Sequence, residues 1–403
     1  MNKNNYKNLL LVGPYPPPFG GVSSHLYELK NSLQDKFNFH ILQFDSTEEI
    51  LDEKKAVIRK QNSVFKFFFI AIIIKYFFRV LKVLSFLLLN FYLDPRFYLS
   101  SLVKTFHVVD FLDKFKIDKL IVYTTRIGSL ITFVKILKPN LEIYYCIYAD
   151  PFKNPKFYKK HNLIYKKAVL SCRKVFSSSC YCSSGYGKIT NNVDPSVIYI
   201  GVDLERFKPM DSIMSRIKLN IPEKPTILFL GRMEPEMGVE NAMEIAKKLT
   251  SKNSEINFVI AGAEGSLTES LIESASFSKN IIVSPNVSKD DLPFYYGASS
   301  IVIAPTISIH ACMGVSIKEA MASARPVIAS SSGGIPEAIR NNIDGYIIED
   351  INNNIDCDSF VEKIEDIIND QAKLKNLGFN ARVRCEEIFS VSQTAKKYLE
   401  LLN

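Results

Sequence analysis

Residues 301–338, IVIAPTISIHACMGVSIKEAMASARPVIASSSGGIPEA, constrain the fold more than any other stretch of the chain. An apolar run at 301–304 leads through a loop into a helix-forming segment carrying Glu319. A second apolar run follows at 327–329, then a Ser/Gly turn with Glu337. Strand, helix and strand in so short a span imply parallel strands in an open α/β sheet. Ligands of such sheets lie outside the carboxyl ends of the strands, where this segment places a carboxylate and several backbone N–H groups. Carboxylates accept hydrogen bonds from a vicinal diol, and helix N-termini with Gly-rich turns favour phosphate. A ribose carrying a diphosphate fits both.

The same alternation runs through the rest of the chain. Apolar runs at 9–13, 39–44, 120–123, 143–147, 175–177 and 197–200 are separated by helical patterns, including one at 22–33. A second series at 226–230, 257–261, 281–283, 301–304 and 327–329 repeats the scheme. With 403 residues, 47% of them hydrophobic, the chain can bury two cores. The boundary is expected in GVDLERFKPMDS, residues 201–212, and a last helical stretch at 371–402. Seven cysteines, an odd number spread mostly through apolar segments, read as reduced core residues of a cytosolic protein and not as a disulfide framework. The polar start, MNKNNYKN, lacks the features of a signal peptide.

Charge is divided unevenly. Residues 1–205 hold 29 Lys and Arg against 16 Asp and Glu, whereas the remainder holds 21 against 26. A basic first half suits an anionic partner, nucleic acid or anionic lipid. Residues 64–93, VFKFFFIAIIIKYFFRVLKVLSFLLLNFYL, favour lipid: Lys75, Arg79 and Lys82 recur at helical spacing among Phe, Ile and Leu. The longest uncharged run, 83–93, is too short to span a bilayer. An interfacial helix with its cations toward head groups fits; a helix pair buried against the first sheet is the alternative. Residues 153–174 add a second basic run.

The segment around Glu319 resembles the donor region of glycosyltransferase family 4, whose members have the GT-B fold and retain the anomeric configuration. Glu319, Ala320, Met321, Ala322, Pro326, Val327, Gly333, Gly334, Pro336 and Glu337 follow the family pattern, while Ala311 stands where its first glutamate would be and Ala324 replaces a customary glycine. Gly201, Val202, Asp203, Phe207 and Pro209 match the family's domain junction, and Gly231, Arg232, Glu236 and Gly238 its diphosphate segment, with Met237 in place of the usual lysine.

The resemblance implies two doubly wound Rossmann-like domains facing a cleft: an acceptor-side domain at 1–205, a nucleotide-sugar domain at 206–385, and a helix at 386–403 crossing back to the first. Glu319 would hold the ribose, and Arg232 with Gly20 and Gly21 the diphosphate. Val315 and Ser316 would sit beside phosphate and sugar with Gly314, and Gly231, Met237 and Gly262 would line the nucleotide. His310 is placed to stand in for the missing glutamate. Asp150, in CIYADPF, would orient an acceptor hydroxyl or form an ordinary Asp-Pro turn, Arg126 is a further basic pocket candidate, and His25 lines the pocket or packs its helix.

The activity implied is transfer of a hexose from a nucleoside diphosphate sugar to a lipid-linked or cell-envelope glycan, as in polysaccharide biosynthesis. It would need no metal or cofactor and no nucleic acid, on the cytoplasmic face of a membrane. The alternative is a non-catalytic GT-B protein serving as a membrane- or partner-binding module. Asp356-Cys357-Asp358 follows no apolar strand, so a helix N-cap is expected there rather than a metal site. Neither a Gly-x-Gly-x-x-Gly nor a P-loop follows the first strand, which excludes the usual dinucleotide oxidoreductases and P-loop NTPases.

Overall fold

The computed structural model describes residues 7–16, 21–44, 74–90 (backbone alone for 87–90), 94–123, 127–148, 155–184, 196–308, 311–350 and 354–403. The chain forms two compact units, one of residues 1–178 with 182–198, the other of 179–181 with 199–403. The second unit thus begins at Tyr199, just ahead of the expected junction, and includes the C-terminal helix.

In the first unit the order is β1 (Lys7–Val12), α1 (Gly21–Leu33), β2 (Phe37–Leu42), α2 (Phe77–Asn90), α3 (Pro95–Lys114), β3 (Lys119–Tyr123), α4 (Leu130–Leu137), β4 (Glu142–Ile147), α5 (Pro155–Lys160), α6 (Asn162–Ser171), β5 (Lys174–Ser177) and β6 (Ser196–Val197). The six strands pair in parallel in the order β2-β1-β3-β4-β5-β6. β6 stops at Val197, so the expected strand at 197–200 is mostly connection: Ile198 makes one last hydrogen bond to Ser177 before the chain enters the second unit. Leu10, Val12, Leu120, Val122, Ile143, Tyr145 and Ile147 bury one face of the sheet, as period-2 side-chain alternation requires.

The second unit contains α7 (Ser212–Leu219), β7 (Thr226–Leu230), α8 (Val239–Lys252), β8 (Asn257–Gly262), α9 (Thr268–Ala275), β9 (Ile281–Pro285), α10 (Leu292–Ala298), β10 (Ile301–Ala304), α11 (Val315–Ala322), β11 (Val327–Ser330), β12 (Gly345–Ile348), α12 (Cys357–Ile368), α13 (Gln371–Arg384) and α14 (Val391–Leu402). Its sheet is parallel throughout, ordered β12-β11-β10-β7-β8-β9. Both faces are covered. Ile227, Phe229, Phe258, Ile260, Ile301 and Ile303 enter one core, while Leu228, Val259, Ala261, Val302 and Ala304 enter the other. This is why these strands read as continuous apolar runs.

Asp356 caps α12 by accepting the N–H groups of Asp358 and Ser359, the cap role expected of it. The stretch at 371–402 is not one helix. A π turn at 385–389 ends the first part, and Ser390 caps α14 by accepting the N–H of Gln393. The break lets Val391 donate to Val202 and Thr394 to the carbonyl of Tyr199, tying α14 to the chain entering the unit. A straight helix would carry those groups past their partners.

Of the 64–93 segment, residues 64–73 and 91–93 lie outside the described residues. In the remainder Tyr76, Val80, Val83 and Phe86 are buried on one face of α2, and Phe77, Phe78, Leu81 and Leu84 are exposed on the other. Two of the three expected head-group cations, though exposed, are paired within the protein. Lys75 Nζ lies 3.0 Å from Asp113 Oδ2, and Arg79 Nη1 donates to the carbonyl of Leu137 at 2.7 Å. The C-terminal ends of α3 and α4 offer these acceptors, which outcompete water for nearby cations. No helix among the described residues is long and apolar enough to cross a membrane.

Candidate active site

In the second sheet the strand order reverses at β7, which lies between β8 and β10. Ligands of open α/β sheets sit at such a switch point, beyond the carboxyl ends of the strands. The loops after β7, β8 and β10 meet there. Gly262, at φ +144°, would place a Cβ 1.9 Å from the carbonyl oxygen of Gly231, and Gly238, at φ +76°, would place one 1.8 Å from that of Pro305. Only glycine allows backbone to approach so closely at these angles. Glu234 accepts from the N–H and hydroxyl of Ser266, fixing the β7 and β8 loops to each other.

Arg232 follows β7 with a side chain 58% exposed, its Nη2 3.5 Å from Glu236 Oε1. So weak and solvated a pair leaves the guanidinium available to an anion. Met237 carries no such charge. It is partly buried against the unit's core, with its Cε beside Gly231.

Gly314, at φ +70°, opens α11, and no side chain caps the helix start. The first N–H groups, those of Val315, Ser316 and Ile317, therefore lack intrahelical acceptors. One turn later stands Glu319. Its Oε2 accepts the hydroxyl of Tyr296 at 2.8 Å, and the same hydroxyl lies 3.2 Å from the carbonyl of Ser316. Oε1 accepts nothing among the described residues. Burial pushes the Glu319 carboxyl above its usual range, while the Tyr296 hydrogen bond and the charges of Arg206, Lys318 and Lys289 pull it down. The result is a half-buried carboxylate with one oxygen fixed by Tyr296 and the other accepting from none of the described residues.

Tyr296, Arg206 and Lys289 escaped the sequence reading. Arg206 lies in the domain-junction motif and donates Nη2 to the carbonyl of Lys289 at 2.5 Å. Tyr296 lies in LPFYYGA, an aromatic run typical of core helices. Only its polar tip, which a buried tyrosine must satisfy, could have marked it.

Lys318 cannot replace the cation missing at Met237, for it is buried and donates Nζ to the carbonyl of Ile200 at 2.6 Å. Glu337 is likewise committed elsewhere, accepting the N–H groups of Cys180 and Tyr181. Ala311 uses its carbonyl to accept from Gly334 N, and its methyl has no hydrogen-bonding capacity.

In the first unit Gly21 is the first residue of α1, and His25 is buried in that helix, edge-on to Tyr123 with ring centroids 6.2 Å apart. Gly20, Arg126, Asp150 and His310 lie outside the described residues. A cavity of about 500 Å³ in this unit, lined by Lys7, Arg79, Lys119, Lys138 and Glu142 among others, opens at the amino ends of β1, β3 and β4. That is the wrong end for the switch-point site. Its Lys119 is paired with Glu142 and its Lys138 with Asp113, so salt bridges account for both.

Residues 212–384 match the family model described as Glycosyl transferases group 1. HepE of Anabaena, in complex with UDP-glucose, superposes with a TM-score of 0.70 at 14% identity, over 98% of this chain and 99% of that one. A glycosyltransferase from Rickettsia africae also gives 0.70, at 19% identity and 98% of each chain. The fold is GT-B. The D-inositol 3-phosphate glycosyltransferase of Rhodococcus jostii is 29% identical over 225 residues, 53% of this chain. The chain spans 48% of that relative, about half its length.

Proposed function

We propose that the protein is a retaining glycosyltransferase of the family 4 type. It moves a sugar, a hexose by resemblance, from a nucleoside diphosphate sugar to a lipid-linked or cell-envelope glycan. The observation that carries the reading is Glu319 on the first turns of α11 at the switch point, with one oxygen held by Tyr296 and the other accepting from none of the described residues. Two hydroxyls of a ribose suit that oxygen. The N–H groups opening α11 and the Arg232 guanidinium suit the diphosphate. The matched family model and the UDP-glucose complex of HepE support a nucleotide-sugar donor.

In this mechanism the departing diphosphate gains negative charge, and Arg232 with the α11 N-terminus stabilises it without reorganising. The acceptor hydroxyl approaches on the face the diphosphate leaves. Catalysis is therefore positional and electrostatic, and proceeds without a metal. Incubating the protein with a panel of nucleotide sugars and a lipid-linked acceptor, with EDTA present, should release nucleoside diphosphate from one donor. Arg232→Ala should lower that rate by roughly 10- to 150-fold, the equivalent of one charged hydrogen bond.

Met237 and Ala311 favour one other reading, a GT-B protein that binds nucleotide without turning it over. A thioether replaces a diphosphate cation and a methyl replaces a carboxylate at the sugar. Nucleotide binding without transfer or donor hydrolysis across the whole panel would establish that reading and remove the first.

A further inference from the structure

On the first unit, α2, α5 and α6 present a surface that the donor site does not use. α2 buries Val80, Val83 and Phe86 and leaves Phe77, Phe78, Leu81 and Leu84 exposed, Phe78 by 79%. α6 buries Ile164, Tyr165, Ala168 and Val169 and exposes Leu163 and Leu170. The two helices are neighbours, since Lys167 Nζ stands 4.4 Å from the ring centroid of Phe86 and both pack residues into one core with Phe133. Large apolar side chains exposed together mark an interaction surface rather than scatter.

Charge identifies the occupant. Residues 74–90 and 155–171 contain eight lysines and arginines and no aspartate or glutamate. Lys75 is paired with Asp113, Arg79 donates to the carbonyl of Leu137, and Lys160 lies 3.6 Å from Asp94. Lys82, Lys156, Lys159, Lys166 and Lys167 remain, all exposed, on the same three helices as the exposed phenylalanine and leucine side chains. Apolar groups interleaved with cations, on a helix lying flat, are the pattern of an interfacial surface. A protein partner's face would require matching acidic groups at each lysine, whereas anionic lipid supplies them laterally wherever they are needed.

We propose that this face docks on a bilayer surface carrying anionic lipid. The exposed side chains of α2 enter the head-group boundary, and the lysines of α5 and α6 bind lipid phosphates. The inference concerns the first unit alone and stands or falls apart from the transferase reading. Lys75 and Arg79, through Asp113 and the carbonyl of Leu137, tie α2 to the ends of α3 and α4.

The full-length chain is to be co-sedimented with vesicles of neutral phosphatidylcholine, with and without phosphatidylglycerol, at low and high salt. Binding should require the anionic lipid and weaken with salt. Lys159→Gln with Lys166→Gln should weaken it roughly 10-fold or more, given the attraction of each cation to an anionic surface. Phe78→Ser with Leu81→Ser should abolish it, and neither pair should change the thermal midpoint, because all four side chains are exposed. Failure to bind anionic vesicles would overturn the proposal, as would binding indifferent to both double variants. Self-association without vesicles, lost in Phe78→Ser, would make a second copy the occupant and overturn it as well.

Discussion

Tyr296 does for Glu319 what the helix cannot. A glutamate one turn into a helix has three rotatable bonds, and the tyrosine hydroxyl fixes its carboxylate through Oε2 at 2.8 Å. In the proposed function this makes it a positioning residue for the ribose. Removing the hydroxyl in Tyr296→Phe keeps the buried ring and frees the carboxylate. Affinity for a nucleoside diphosphate should fall about 10-fold, the lower end of a charge-assisted hydrogen bond, with much less change for a 2′,3′-dideoxy analogue. The carboxyl is already raised by burial and lowered by this hydrogen bond, so its loss raises the carboxyl further. The acid limb of nucleotide binding should therefore move to higher pH in titrations of the variant. A variant that loses ribonucleotide and dideoxynucleotide equally, with no movement of that limb, would show that Tyr296 only packs.

At the scale of elements, Lys318 joins the donor helix α11 to the segment entering the second unit through the carbonyl of Ile200. Burial lowers its amine to about 8 from 10.5. Between those values the unfolded chain holds a proton that the folded chain has released, so this residue's contribution to stability rises with pH across that window. Below it the buried charge is a cost. Relative to Lys318→Met, the parent should gain about 2 kcal/mol between about pH 7 and about pH 9.5, at ~1.4 kcal/mol per pK unit. Urea denaturation of both proteins at the two pH values measures this, and a pH-independent difference would contradict it. The same region shows what the sequence could reveal. Strands 226–230 and 301–304 were legible to the residue, because a parallel strand buried on both faces is an unbroken apolar run. β12, Gly345–Ile348, is an edge strand only half buried and so lacks that signal, and the break at Ser390 hides inside a helical pattern. Motif spacing singled out Glu319 and Arg232, which the structure places on α11 and directly after β7. Tyr296 and the partners of Lys75 and Arg79 were not legible, because both depend on which groups tertiary packing brings opposite them.

For the whole molecule, two parallel sheets of six strands give a GT-B protein whose halves differ in charge, basic in the first 205 residues and mildly acidic beyond. The charge excess and the exposed apolar helix faces fall on the first unit, and the switch-point carboxylate falls on the second. The central claim is that Glu319 holds the ribose of a nucleotide donor. Calorimetric titration of the parent and of Glu319→Ala with UDP, ADP and GDP, each beside its 2′,3′-dideoxy analogue, tests it. The parent should bind one ribonucleotide at least roughly 10-fold more tightly than its dideoxy form, the scale of one hydrogen bond to a charged group, and Glu319→Ala should erase that difference. Equal affinity for the two forms in the parent, or a preference that survives in Glu319→Ala, would contradict the account.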